Sequence, residues 1–505
     1  MGDPAKSLIT EEKPKDSLDI IKSTHTSEIV IALCGQLGTD LKKIEELLTT
    51  ELKHKFRYEC QTIKLSSFIS RYTDKKLSSI INSYERIKAG MDGGNELREK
   101  YDNQILAEFA IQKIISDRVS EESTENLEQE KFDDRRKCFI IDSIKHPAEI
   151  KLLNEVYRDS FYVIGVFSPI GLRAKNLEKS FGLNSISKVY ELINRDTGED
   201  LLYGQKVEES FINSDYFIRV SSNEKRKLKP KIERFLNLLF DIGINTPSPN
   251  ETPMYQATAA AANSACLSRQ VGACITDSSG DILSLGWNDV PTYGGNLYPN
   301  SDLDIDERCY NIGDCECANI KKKEKIKSDI LTELNNAEIL KPGEHTSVIN
   351  DILDRNGIKN LIEFARSIHA EMHAIILGSQ KSGSKMVGGK LYCTTYPCHN
   401  CARHIIVAGI SEVYYIEPYK KSLGIELHAD AITEDENENN KVRILMYEGV
   451  APKKYMEFYK LVSDDRKIKV KYQDLYTIKP KSTITLRALH QLEASVSENL
   501  KKKGL

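Results

Sequence analysis

Two short blocks constrain this chain more than anything else in it: His369-Ala370-Glu371, and further on Pro397-Cys398-His399-Asn400-Cys401. One imidazole and two thiolates are the ligand set with which a catalytic zinc keeps its fourth tetrahedral position open to water. His369, Cys398 and Cys401 are therefore the expected ligands of a Zn2+ ion. Glu371, two residues past the histidine, is placed to take a proton from that water. A closed structural site needs a further Cys or His ligand, and His399 and His404 are at hand, yet neither accounts for the His-Ala-Glu block. The surroundings read as helix over 361–380, strand over 390–394, helix over 398–408 and strand over 411–416. Both sulfurs then lie in the first turn of a helix, on one face, where the helix N-terminus favours thiolate over thiol.

The spacing H-x-E…P-C-x-x-C resembles the signature of zinc nucleobase deaminases. In that chemistry zinc lowers the pKa of its water to near 7, the oxygen attacks C4 of a cytosine-type ring, and Glu371 shuttles protons to N3 and to the departing ammonia. A third block narrows the comparison. An Ala-rich helix over 254–265 leads into Arg269-Gln-Val-Gly-Ala-Cys-Ile275, a turn at 278–280, and a strand ending in Gly286-Trp-Asn-Asp-Val-Pro291. Together with His369–Ile375 and Tyr396–Ile406, these segments resemble the deoxycytidylate deaminase family. The resemblance implies a cytidine-deaminase-like α/β/α domain and makes Asn288 a ligand of the sugar 3′-hydroxyl. Arg269 is a candidate phosphate contact, with a merely solvated base as the alternative, and Tyr396 a candidate to stack on the substrate ring.

The chain has 505 residues, room for two to four domains. A hydrophobic content of 40% and a charged content of 29% are ordinary for a globular protein, and a formal net charge of −4 gives no global pull toward nucleic acid. No apolar run approaches the roughly 20 residues that cross a bilayer. The segment Met1–Ser7 has no hydrophobic signal core, and Lys6 breaks the myristoylation pattern. Cys34, Cys138, Cys274 and Cys393 sit in apolar runs, as reduced thiols do. No membrane partner and a cytoplasmic location are expected.

The first half reads as a second domain. Residues 1–26 are polar and Lys-rich, expected to be mobile. Glu28–Leu33 is a buried-type strand running through Gly35 and Gly38 into a helix from Leu41, the context of a phosphate-binding loop. The loop is degenerate: Gly38 is followed by Thr39 and Asp40 instead of Lys and Ser/Thr. Lys137–Asp142 is an apolar strand ending in an acid, and Phe161–Phe167 is a further core strand. Strands alternating with helices imply a doubly wound parallel sheet, and the pieces resemble P-loop NTPases of the nucleotide-kinase kind with Gly35, Gly38, Thr39 and Asp142 as the degenerate nucleotide site. A purely architectural module is the alternative.

The domain layout expected is a kinase-like domain over 27–242, a Pro- and Asn-containing linker over 243–253, and a deaminase domain over 254–505 with an insertion at 292–361. This fusion resembles the bacterial anti-phage dCTP deaminase family, as do Glu417–Leu423, Leu427-His428 and Tyr447–Tyr455. The resemblance implies deamination of dCTP and dCMP to uracil nucleotides, depletion of the phage's dC pool, a regulatory dTTP-like nucleotide and an inhibitory small RNA. A homo-oligomer is expected from the fold. In the insertion, Cys309, Cys315 and Cys317 suggest a second metal, with His345 as a possible fourth ligand and unligated thiols as the alternative. Lys321–Lys327 and Lys501–Lys503 read as a solvated basic face and a frayed tail. A deaminase acting on polynucleotide shares the zinc signature but needs a basic, aromatic groove that this composition does not advertise. A nucleotide-sensing protein with an inert deaminase half is the remaining alternative.

Overall fold

The structure, a computed structural model, describes residues 16–121, 135–181, 186–199, 201–221, 227–299, 305–312, 315–339, 346–355, 357–358, 361–419, 422–460 and 475–505. The chain divides into two compact units, 1–245 with 458–505, and 246–457.

In the first unit, strands β1 (Ile29–Gly35), β2 (Glu59–Lys64), β3 (Lys137–Asp142), β4 (Phe161–Phe167) and β5 (Tyr216–Arg219) lie in the order β5-β4-β1-β3-β2. All four pairings are parallel. Both central strands, β1 and β4, are buried along their whole length, which is why they read as unbroken apolar runs. Helices α1 (Leu41–Phe56), α2 (Ser83–Lys100), α3 (Ile105–Glu121), α4 (Pro147–Tyr157), α5 (Ile170–Phe181), α6 (Ile186–Thr197) and α7 (Leu228–Leu239) belong to this unit. The parallel sheet that the alternation of strands and helices implies is present. Asp142 ends β3, and its carboxyl is pushed up by burial and by Glu45.

Two expectations for this unit need correction. Residues 17–26 are ordered: Ser17–Ser23 is helical, and Thr26 pairs with Ile484. The 458–505 segment belongs here and not to the second unit. Its helix Leu486–Lys502 is drawn in by a buried charge cluster. Arg118 donates to Glu28 at 2.7 Å and pairs with Glu493, which also accepts from Tyr157 Oη at 3.0 Å. Lys503, expected in a frayed tail, donates to Glu108 at 2.6 Å and pairs with Asp102. Polar helix residues carry no periodic sign that such partners await them 375 positions away in the chain.

The second unit holds a six-stranded sheet: β6 (Gly272–Thr276), β7 (Ile282–Trp287), β8 (Lys390–Thr395), β9 (Glu412–Glu417), β10 (Ile432–Thr433) and β11 (Val442–Met446), in the order β10-β11-β9-β8-β6-β7. The β6–β7 and β6–β8 pairs are antiparallel, the others parallel. Helices α8 (Glu251–Ala261), α9 (Ala318–Asn336), α10 (Ala370–Ser382) and α11 (His399–Val407) belong to it. α8 and α10 pack on β6 and β7. Among the described residues no helix is long and apolar enough to cross a membrane.

Removing the carboxylate of Glu493 leaves Arg118 buried with one partner fewer. Glu493→Ala is expected to cost the first unit about 3–5 kcal/mol, read as a lower urea midpoint and lost exchange protection in 486–502.

Candidate active site

The site is assembled at two helix starts. α10 does not begin at Leu361 as the periodicity suggests but at Ala370, with His369 as the N-cap at φ −79° and ψ 153°. The reason is local. The Ile368 N–H donates to Asp289 O at 2.9 Å, which holds the preceding chain extended against the turn after β7. α10 can start that close to β7 because position 286 is glycine: a Cβ there would lie 2.3 Å from Ala370 O. α11 begins the same way, with Cys398 as N-cap at φ −70° and ψ 166° and Cys401 in its first turn.

These starts bring the expected ligands together. His369 Nδ1 lies 3.3 Å from Cys398 Sγ and 3.3 Å from Cys401 Sγ. All three ligand atoms fall within 4.8 Å of one another, and among the described residues this is the group of His, Cys, Asp and Glu so arranged. The donor set fits a metal on electrostatic grounds. Its hydrogen bond to Cys398 raises His369 to about 9, while bonds from Cys401 and His369 bring Cys398 down to about 4. Cys401 is pushed up by its bond to Cys398 and by burial. Three ligands thus share protons in a buried place, where one dication satisfies all of them. Glu371 is 4% exposed, and burial pushes its carboxyl up.

The turn after β7 is heavily tied. The Asn288 side chain accepts from the Val271 N–H at 2.7 Å and donates to Arg269 O at 2.8 Å. Asp289 accepts from the Ala265 N–H at 3.0 Å and lies 3.6 Å from Arg308, which forms a fork with Asp306. The head of the insertion is therefore fastened to this turn. His373, one turn into α10, accepts from the Trp287 N–H at its Nδ1 (3.2 Å), and its Nε2 is 2.9 Å from Asn296 Oδ1.

A cavity of about 350 Å³ is lined by six of the candidate residues, His369, Glu371, Cys398, Asn288, Arg269 and Tyr396. Arg269 pairs with Glu417 at 3.1 Å. The Tyr396 ring sits edge-on to Tyr415, and its hydroxyl donates to Glu434 at 3.0 Å. Arg366, Tyr419 and Cys266 line the same cavity and escaped the sequence reading; Arg366 had only its place three residues before His369 to mark it. The three insertion cysteines do not converge as expected. Cys309 and Cys317 line the cavity, whereas Cys315 is exposed and its thiol donates to Tyr310 O at 2.9 Å. His345 lies outside the described residues.

Residues 247–417 match the family model described as the cytidine and deoxycytidylate deaminase zinc-binding region. The cofactor of this region is zinc. Among curated proteins, the chain is 54% identical to ComE operon protein 2 of Bacillus subtilis over 56 residues, 11% of this chain and 29% of that protein. The chain thus spans less than a third of that relative. It is 28% identical to the deoxycytidylate deaminase of Enterobacteria phage T2 over 164 residues, 32% of this chain and 74% of that protein. Among solved structures, the dCMP deaminase of cyanophage S-TIM5 in complex with dCMP and dUMP matches at 21% identity and a TM-score of 0.24, covering 40% of this chain and 99% of that one.

Two outcomes follow from this geometry. Metal analysis is expected to find zinc lost from His369→Ala, Cys398→Ser and Cys401→Ser but retained by Glu371→Gln, whose side chain is outside the converging group. Burial lowers the pKa of His373, so the folded chain resists a proton that the unfolded chain accepts. Its contribution to stability is complete above the ordinary value of about 6.5 and is lost as pH falls through that value toward the folded one. Melting curves should show this acid-side loss reduced in His373→Gln.

Proposed function

We propose that the second unit is a zinc-dependent hydrolytic deaminase of deoxycytidine nucleotides, converting dCTP and dCMP to the uracil nucleotides. The observation that carries this reading is the buried Glu371 carboxyl lining the same cavity as His369 and Cys398, two of the three converging ligands, inside the region that matches the deaminase zinc-binding family. Zinc held by His369, Cys398 and Cys401 supplies Lewis-acid activation of water at neutral pH. Glu371, its proton affinity raised by burial, accepts one proton from the attacking water and delivers it to N3 of the ring. It then passes the remaining water proton to the amine as the C4–N bond breaks, so that water and amine become carbonyl and ammonia.

The other lining residues take roles of positioning. Arg269 and Arg366 supply positive charge for the phosphates, with Glu417 setting the first in place until substrate arrives. Asn288, fixed by two backbone partners, presents its remaining capacity to the sugar. Tyr396 forms a wall for the ring. In the cell, this activity joined to a parallel-sheet unit fits a defence role in which the dC pool is drained during phage infection.

Zinc-loaded protein incubated separately with dCTP, dCMP, CTP and single-stranded DNA should release ammonia from the deoxynucleotides, with a product mass gain of about 1 Da. Glu371→Gln should lower turnover by a factor of about 10²–10⁴ while keeping its zinc. Conversion of DNA alone would overturn the nucleotide reading.

A further inference from the structure

The loop between β1 and α1 is the part of the first unit with the most chemistry left unused. A strand running through glycines into a helix presents backbone N–H groups at the carboxyl edge of a parallel sheet, an arrangement suited to anions. Here two of those donors already have side-chain acceptors from the protein. The Leu37 N–H donates to Asp196 Oδ2 at 2.7 Å, and Asp196, on α6, is fully buried. The other oxygen of Asp196 accepts from Lys145 Nζ at 2.7 Å, and the same ammonium donates to Gly35 O at 3.1 Å. At the helix start, Asp40 Oδ1 accepts from the Lys43 N–H at 3.2 Å.

The loop is also covered from outside. Gly38 holds φ +86°, and a Cβ there would lie 2.7 Å from Arg173 O. The Asn176 side chain on α5 donates to Gly38 O at 2.9 Å. A carboxylate and an ammonium thus stand on the loop where a phosphate and its counter-charge would be held, and α5 packs directly over it.

We propose that this loop is an anion site filled from within: the Asp196 carboxylate takes the place of a phosphate. While Asp196 stays seated the loop accepts no nucleoside polyphosphate. Emptying the seat leaves Lys145 and the Leu37 N–H without their shared partner, and the vacated site takes inorganic pyrophosphate.

The test uses the full chain and pyrophosphate as the probe, read by calorimetric titration and thermal shift. Wild type should show no binding and no shift. Asp196→Ala, and the milder Asp196→Asn, should melt lower than wild type and regain stability with pyrophosphate, binding it at least tenfold more tightly than wild type. Asp196→Ala combined with Lys145→Ala should lose that rescue. Equal stabilisation of wild type, or variants that gain no pyrophosphate binding, would overturn the proposal. If neither variant folds, hydrogen exchange of wild type decides. Slow exchange across 36–40 without ligand, unchanged by pyrophosphate, supports the internal anion; fast exchange, or protection on adding pyrophosphate, overturns it.

Discussion

Two sulfurs and an imbalance of charge govern the second unit. Cys398, Cys401 and Glu371 bring three acidic groups into a space that solvent scarcely reaches, with His369 as the basic group among the ligands. Like charges at such separations in a low dielectric repel by several kcal/mol, so without a metal the cluster must hold protons. A dication removes that requirement, which ties metal binding to the stability of both helix starts. The rest of the unit is arranged to keep those starts in place: Gly286 lets α10 approach β7, and Asp289 binds the chain just ahead of His369.

That dependence explains how much could be read in advance. Ligands recur at short fixed offsets because a metal demands them, so His369, Cys398 and Cys401 were legible, and so was Glu371. Strands β1, β3 and β4 were legible because both faces of each are covered, leaving long apolar runs. The edge strand β2 was not: Glu59–Lys64 is half exposed, and its mixed residues look like loop. The helix start at Ala370 was hidden because an isolated bridge to Asp289, not a capping side chain, ends the extended segment. Asn288 lines the cavity, but its two backbone bonds across the turn were not legible, since nothing in a sequence shows which amide groups are already engaged.

The insertion follows the same logic. Its cysteines are closely spaced in sequence, yet among the described residues they form no converging group: Arg308 and Asp306 make a buried ion pair in that stretch, and Cys315 is exposed. Close spacing is informative for ligands only when the backbone between them is regular, as in the first turn of α11.

The first unit is discontinuous in the chain, its charge cluster joining Glu28 and Arg118 to Glu493 with the whole second unit between them. During synthesis the order of completion is therefore reversed. Residues 246–457 emerge as one contiguous stretch and can fold as soon as they leave the ribosome, while the earlier unit waits with Arg118 partly unpaired until residue 493 appears. A nascent chain stalled between these points would hold the whole contiguous stretch of one unit but only part of the other, with the Glu493 partner of Arg118 still to be made.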